Sequence, residues 1–496
     1  MLKNSIAVIL QTIVFALSQF IFYKLLYQHE GIEQVGLWGL ISSVTVAASI
    51  GSFGTSGSSV VKYVAMYRQS NQNDKIREVI ATSLLFNTVS SSIICILIYF
   101  ISSAIFRSML SPDLYSEAIY LLRYALLNYM IYSVCFLFWS VIDGFQQYIL
   151  RCIWFSALQI CLLFLVFLLV PMLHLKGAFI AQIIQNTVLS SVGWVLIKRR
   201  VAGLHLRNLY FSRQIFSQLF GYGVHLQAIS LTTLFFEPAT KFILSKYCGL
   251  AFTGYFEMAN KLTGQIRNLI NASLQPIVPV VASLYKGMVP DADAIKEKYI
   301  TSIGHVFQIS MLLISLMLIM APVVSFVWIG NYNQTFIHIL AVLAVGSWFN
   351  MLTLPAYFIN FGTGELKFNV VQEIIHVVLN ISLLTMLGMT TSSSYLIFSL
   401  PISYFAGFCY LVYNFHKKYN VSNKTFFERY FNRQLFSIPI ALFTLLIILH
   451  LSNMKYNEFM INIFSVVVAL SLVYLLFHSI LAAGLAKINH LFQFFK

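Results

Sequence analysis

The sequence predicts an all-α integral membrane protein of about 14 transmembrane helices, and three observations predict it. The chain of 496 residues is 59% hydrophobic and only 9% charged, against a charged share of roughly 25% in soluble domains. Apolar runs recur along its whole length, and about 20 apolar residues span a hydrocarbon core about 30 Å thick as a helix. Lys and Arg gather in alternate breaks between these runs, as charge-directed insertion requires.

The first run, 5 to 27, is too long for the apolar region of a secretory signal and has no small-residue cleavage site behind it, so it reads as the first span. Further spans are expected near 37 to 62, 79 to 101, 118 to 141, 151 to 171 and 177 to 197. A second set is expected near 219 to 243, 254 to 282, 301 to 325, 335 to 359, 369 to 387 and 395 to 415. Two more lie near 434 to 451 and 460 to 484. This plan gives an N-lobe over 1–200, a C-lobe over 201–418 and a final pair of helices with a tail over 419–496.

An even span count puts both termini on one side of the membrane. The breaks on that side hold Lys62, Arg68, Lys75 and Arg77; Lys198, Arg199, Arg200, Arg207 and Arg213; Lys286, Lys296 and Lys298; and Lys417, Lys418, Lys424, Arg429 and Arg433. The opposite breaks hold only Arg107, Lys176, Lys246 and Lys455, so the termini are read as cytoplasmic. The net charge of +15 therefore calls for a membrane surface and not for a nucleic-acid partner. The 6 cysteines lie in or beside apolar runs without the paired spacing of a zinc or redox site, and neither metal nor cofactor is expected. No break is long enough to fold as a separate domain, so function must reside among the helices.

Two stretches echo one another. The first reads Lys24, Gly31 and Gly36-Leu37-Trp38; the second reads Lys241, Gly249 and Gly254-Tyr255-Phe256, with the same glycine spacing. Both enter from the same side, which predicts two parallel six-helix lobes around a central cavity, with a binding site at the repeat interface.

Polar residues mark the faces such a cavity would use. Ser42, Thr45, Ser49, Ser52, Ser56 and Ser59 recur at steps of three and four in the second span. The eighth carries Glu257, Lys261, Gly264, Asn268, Asn271 and Gln275 at similar steps, flanked by Asn260 and Arg267. The repeat offset lays Ser42 on Asn260 and Ser49 on Arg267. Span seven adds Ser230, Thr233, Glu237 and Lys241. Small residues alone would serve helix packing, but a charge at the bilayer centre costs roughly 2.5 to 3.5 kcal/mol and should face protein or water. Arg267, Lys261, Lys241, Lys24 and Arg123 are accordingly the candidate cationic ligands, with Asn260, Asn268, Asn271, Gln275, Ser42 and Ser49 as polar ones. Lys24, Lys241 and Arg123 lie near predicted outer ends, where snorkelling explains them equally well. Glu237 with Lys241, and Glu257 with Lys261, have the acid-first spacing of an ion pair. Glu373 and His376 share a face of span eleven, where Glu373 is a candidate for binding a coupling proton or sodium ion; His225 and His305 lie near the same side.

Residues 31 to 38, Ile50-Gly51-Ser52-Phe53-Gly54 and Val61-Lys62-Tyr63-Val64-Ala65-Met66-Tyr67 together resemble the opening of bacterial polysaccharide and O-antigen flippases. Asp143-Gly144-Phe145-Gln146-Gln147 looks like the short loop these proteins carry after span four. They belong to the multidrug, oligosaccharidyl-lipid and polysaccharide (MOP) exporter superfamily, and the span plan extends the resemblance over essentially the whole chain. The resemblance implies movement of an undecaprenyl-pyrophosphate-linked oligosaccharide, an O-antigen or related repeat unit, from the cytoplasmic to the periplasmic leaflet of the inner membrane. It also implies polysaccharide-assembly proteins as partners and no enzymatic chemistry. A cation-coupled multidrug antiporter of the same superfamily would favour an acidic aromatic cavity, whereas the intramembrane charges here are mostly basic. A membrane polysaccharide polymerase or ligase would call for a sizeable outer loop.

Overall fold

The computed structural model describes residues 2–49, 57–201, 203–205, 210–286, 289–290, 292–390, 393–422, 465 and 468, without the side chains of 2–6, 9, 58, 222–235, 279, 285–286, 289–290 and 393–394. Spans thirteen and fourteen, the Ile50 to Gly54 motif, Ser52, Ser56 and the side chains of His225, Ser230 and Thr233 lie outside this set.

The described residues are almost entirely helical: α1 (Leu2–Ala48), α2 (Ser58–Gln69), α3 (Asn73–Met109), α4 (Pro112–Gly144), α5 (Tyr148–Leu173), α6 (Leu175–Lys198), α7 (Arg213–Leu274), α8 (Ile277–Ser283), α9 (Ala292–Ile329), α10 (Gln334–Thr363), α11 (Lys367–Thr390) and α12 (Ser399–Tyr419). A two-residue antiparallel pair, β1 (Tyr285–Lys286) with β2 (Val289–Pro290), follows α8, and a 3₁₀ turn over Ser393–Phe398 precedes α12. Among the described residues, 9 helices are long and apolar enough to cross a membrane. α7 is not one of them, and it carries Glu237, Lys241, Glu257, Lys261 and Arg267.

The helices form two compact units. Unit 1 comprises Met1–Met258 and Ile381–Leu396; unit 2 comprises Ala259–Asn380 and Ile397–Lys496. In unit 1, α4 lies between α3 and α6, while α1 and α6 both pack on α5. Its core gathers Phe138, Trp139, Leu189 and Ile197, with the Trp139 indole N–H donating to the Leu189 carbonyl at 3.1 Å, so that the one polar atom of the ring is satisfied. The loop after α4 is held by an ion pair between Asp143 and Arg151, and by Arg68, whose guanidinium donates to the Phe145 carbonyl at 2.6 Å. In unit 2, α10 packs on α9, α12 and α8, and Tyr299, Phe415 and Tyr419 pack as tilted rings in its core.

α1 and α7 are each broken once, at repeat-related glycines. Gly31 has φ 79° and ψ 177°; Gly249 has φ 81° and ψ 171°. This region of backbone space is open essentially to glycine alone. The two breaks fix the repeat offset at 218 residues (31 to 249, 36 to 254), and the stretches that follow them touch reciprocally. A Cβ on Gly36 would lie 2.0 Å from the Leu250 carbonyl oxygen, and one on Gly254 would lie 2.3 Å from that of Ile32. The offset maps Ile32 onto Leu250, so both are the same contact made from opposite sides, as a local two-fold axis requires.

The structure corrects three details of the sequence reading. Ser42 to Ser59 is not one helical face, because α1 ends at Ala48 and α2 starts at Ser58 after Gly57, whose φ is 64°. Gln275 is not on the helix of Asn271: α7 ends at Leu274, and Gln275 sits exposed in the turn before Pro276. The repeat partner of Lys241 is Tyr23 and not Lys24, since the glycine register, and not the charge, fixes the correspondence.

Gly36→Ala is expected to lower the melting temperature and folded yield in detergent, since overpacking against fixed backbone costs about 1 to 3 kcal/mol or more. Gly221, whose added Cβ would meet nothing within 4 Å, provides the control. Equal melting of Gly36→Ala and Gly221→Ala would contradict the reciprocal contact.

Candidate functional site

The 218-residue offset that brings Gly36 onto Gly254 also maps Tyr23 onto Lys241 and Gly39 onto Glu257. These four residues meet inside unit 1. The Tyr23 hydroxyl donates to Glu257 at 2.6 Å, and the Lys241 ammonium lies 2.6 Å from the other Glu257 oxygen. Lys241 also donates to Glu237 at 2.6 Å and to the Gly39 carbonyl at 3.2 Å. The ammonium thus hydrogen-bonds two acceptors and is ion-paired with the Glu257 carboxylate. Lys241 is 1% exposed and Glu257 0%. Gly39 makes room for the carboxylate: a Cβ there would sit 3.0 to 3.1 Å from the Glu257 side chain. Phe22, Trp38 and Phe179, with tilted rings 5.2 and 4.3 Å apart, pack beside Tyr23.

One ammonium faces two carboxylates in this cluster, so its charges are structural to one another. Lys241 is consequently withdrawn from the set of cations an anionic ligand can reach. Of the other basic candidates in unit 1, Lys24 is half-buried on α1 and Arg123 is exposed on α4. Ser42 and Ser49 are half-buried; the Ser49 hydroxyl donates to the Val46 carbonyl of its own helix at 2.7 Å.

Unit 1 also contains a cleft of about 450 Å³ that sequence reasoning missed. Its walls carry side-chain amides from four helices: Gln11 and Gln19 of α1, Asn128 of α4, Gln159 of α5, and Gln182, Gln185 and Asn186 of α6. They form two short chains. Asn186 donates to Asn128 at 2.8 Å, and Asn128 donates to Gln182 at 3.0 Å. Gln185 donates to Gln159 and to the Leu158 carbonyl, each at 3.1 Å. The available signal was the rarity of amides in apolar runs, the same signal that selected Asn260, Asn268 and Asn271. On α6 they make a short stripe of Gln182, Gln185 and Asn186, and the rest are scattered one or two to a helix.

In unit 2, the last four turns of α7 bury one narrow stripe and leave the residues beside it partly accessible. Thr263, Ile270 and Leu274 are buried. Asn260, Lys261, Arg267 and Asn271 are half-buried, and Asn268 is exposed. No acidic residue occurs between Glu257 and Asp291.

Glu373 and His376 belong to a second polar stripe, on α11. Their side chains approach to 3.6 Å, with His376 edge-on to Tyr404 and hard against Gly407, where a Cβ would lie 2.0 Å from its ring. Asn369, Gln372, His376 and Asn380 are all buried on this face. Asn360 donates to Asn369 at 2.9 Å, Gln372 to Thr353 at 3.3 Å, and Ser399 to Asn380 at 2.9 Å. Such interhelical bonds hold membrane helices together.

Lys241→Met is expected to destabilise the protein by about 3 to 5 kcal/mol by leaving the buried Glu257 carboxylate uncompensated. Adding Glu257→Gln should restore much of the loss. Thermal unfolding of the single and double variants in detergent measures the coupling, and a single variant as stable as the wild type would refute it.

The fold is shared with known transporters. The lipid II flippase MurJ, in an inward closed conformation, superposes with a TM-score of 0.71 at 14% identity, covering 98% of this chain and 100% of that one. An inward-facing multidrug resistance MATE family transporter of the MOP superfamily gives 0.69 at 17% identity, with 83% and 96% covered. A Vibrio cholerae MATE transporter gives 0.56 at 11%, with 85% and 97% covered. No curated protein sequence matches significantly. The model of the family described as polysaccharide biosynthesis protein matches residues 1–285, more than half of the 496. The chain thus has the MOP transporter fold, and it belongs to the polysaccharide biosynthesis protein family.

Proposed function

We propose that the protein is a flippase that carries an undecaprenyl-pyrophosphate-linked oligosaccharide, an O-antigen or related repeat unit, from the cytoplasmic to the periplasmic leaflet of the inner membrane by alternating access. The observation that carries this reading is the accessible face of α7 beyond Met258. It presents half-buried Arg267, with Asn271 one turn on and exposed Asn268 beside it, along the edge of the buried residues Thr263, Ile270 and Leu274, on a segment without any acidic residue.

A sugar headgroup crossing lipid unaided would lose several kcal/mol for each unpaired hydroxyl, of order 4 to 8 for transfer into hydrocarbon, and its pyrophosphate would add a charge penalty. Amide and hydroxyl side chains replace the lost water around the sugar, and arginine meets phosphate with paired hydrogen bonds. The lipid tail stays in the bilayer throughout. In this reading the lobes are 1–200 and 201–418, followed by the C-terminal pair of helices in 419–496, and the cleft between the lobes opens alternately to each side. Lys24, Arg123 and Lys261 are secondary cationic candidates, with Ser42, Ser49, Asn260 and Gln275 as polar ones. The Lys and Arg distribution supports cytoplasmic termini. Coupling to a proton or sodium ion would act through Glu373, and polysaccharide-assembly proteins are the proposed partners.

A second reading, a cation-coupled multidrug antiporter, is favoured by the acidic excess of the Glu237, Lys241 and Glu257 cluster. One assay separates the two: reconstitution in lipid vesicles with a defined lipid-linked oligosaccharide, where an added glycan-reactive enzyme reports access across the bilayer. Arg267→Ala is expected to slow translocation at least about tenfold, the effect of losing a charge-assisted hydrogen bond, while membrane abundance stays normal. Normal flipping by a normally abundant variant would reject Arg267 as the phosphate ligand. Glu373→Gln is expected to weaken the dependence of transport on an ion gradient, and unchanged dependence would count against its role.

A further inference from the structure

The amides of the unit 1 cleft leave one group unanswered. The Gln159 side chain is 7% exposed and lines the cleft, yet its Nε2 has no hydrogen-bond partner. Its orientation is fixed by its neighbours. Gln185 Nε2 donates to the Leu158 carbonyl, which can only accept, so that nitrogen cannot exchange places with its oxygen. The same Gln185 nitrogen gives its other hydrogen to Gln159 Oε1. Gln159 Nε2 is thereby turned away from Gln185 with two N–H donors free, and buried donors without partners are rare and costly.

We propose that the cleft between α1, α4, α5 and α6 is a binding site for an uncharged sugar ring, with Gln159 Nε2 donating to a ring substituent oxygen. None of the described residues lining the cleft is charged. A phosphate, a uronic acid or an organic cation would be stripped of water there without a counter-charge. A neutral polyol avoids that penalty, because each hydroxyl both donates and accepts, as the amides around it do. Phe155, Tyr129 and Tyr132 add flat apolar surface to the same walls. The volume of about 450 Å³ lies within the range of small-molecule sites. The site is distinct from Arg267, which belongs to the other unit. It deepens the flippase reading by giving the glycan a place of its own, and it rests on that reading for the identity of the cargo.

The test uses the full chain in lipid nanodiscs. Saturation-transfer NMR measures contact with N-acetylglucosamine, glucose and glucuronic acid as free probes. The two uncharged sugars are expected to show transfer and glucuronic acid none. Gln159→Leu should weaken the uncharged sugars about fivefold to tenfold, the worth of one neutral hydrogen bond, with little change in melting temperature. Ser156→Phe, which puts a bulky ring at a residue lining the cleft, should abolish transfer and keeps the test decisive if Gln159→Leu fails to fold. Addition of a lipid-linked oligosaccharide to the nanodiscs should displace the free sugar if the cargo and the probe share the site. Absence of transfer in the wild type, equal transfer from glucuronic acid, or wild-type binding by both variants would overturn the proposal and leave a water-filled cleft. The flippase reading fails separately: vesicles in which the wild type moves no lipid-linked oligosaccharide would reject it even if free sugar binds here.

Discussion

Two backbones in direct contact set the architecture of unit 1. Gly36 meets the Leu250 carbonyl and Gly254 meets that of Ile32, with no side chain between them. Helices approach this closely in a membrane only through small residues, since dispersion between backbones replaces the hydrophobic drive available in water. The contact also sets register. Once Ile32, Gly36, Leu250 and Gly254 are locked, Tyr23, Gly39, Lys241 and Glu257 have fixed neighbours, and the ion cluster can form without further adjustment. Symmetric backbone here carries asymmetric chemistry: tyrosine and glycine in the first repeat stand where lysine and glutamate stand in the second.

Within unit 1, the buried ion cluster and the amide cleft are built from different residues. The buried charges of α7 are paired around Lys241, and the cleft nearby in unit 1 is built from amides. The accessible cation Arg267 lies beyond the unit boundary. A lipid-linked glycan has the same division within itself, an ionised pyrophosphate joined to a largely hydroxylated sugar. The separation of the two kinds of polarity follows from the low dielectric of the bilayer, where an unpaired charge perturbs every polar group around it.

Much of this was legible in the sequence, and what was not has a physical explanation. Long apolar runs located the helices because hydrocarbon thickness fixes span length. Glycine spacing exposed the repeat, because a backbone conformation reserved for glycine cannot drift. The match of Lys24 to Lys241 was one residue out, since it compared charges while the chain conserves backbone register. The serine periodicity from Ser42 to Ser59 continued across the break that ends α1, and a period in sequence does not require a continuous helix. The cleft was illegible because Asn128, Gln159 and Asn186 belong to three helices and become a group only when those helices pack.

The neutrality of the cleft has an energetic corollary for what drives transport. A membrane potential does work of about 2.3 kcal/mol on each elementary charge for every 100 mV crossed. Walls made of amides, hydroxyls and aromatic rings carry no such charge, so their rearrangement is indifferent to voltage. In the proposed cycle, electrical sensitivity falls to the charged groups, the ions of α7 and Glu373 of α11, and clamping the potential while the sugar changes separates it from sugar recognition.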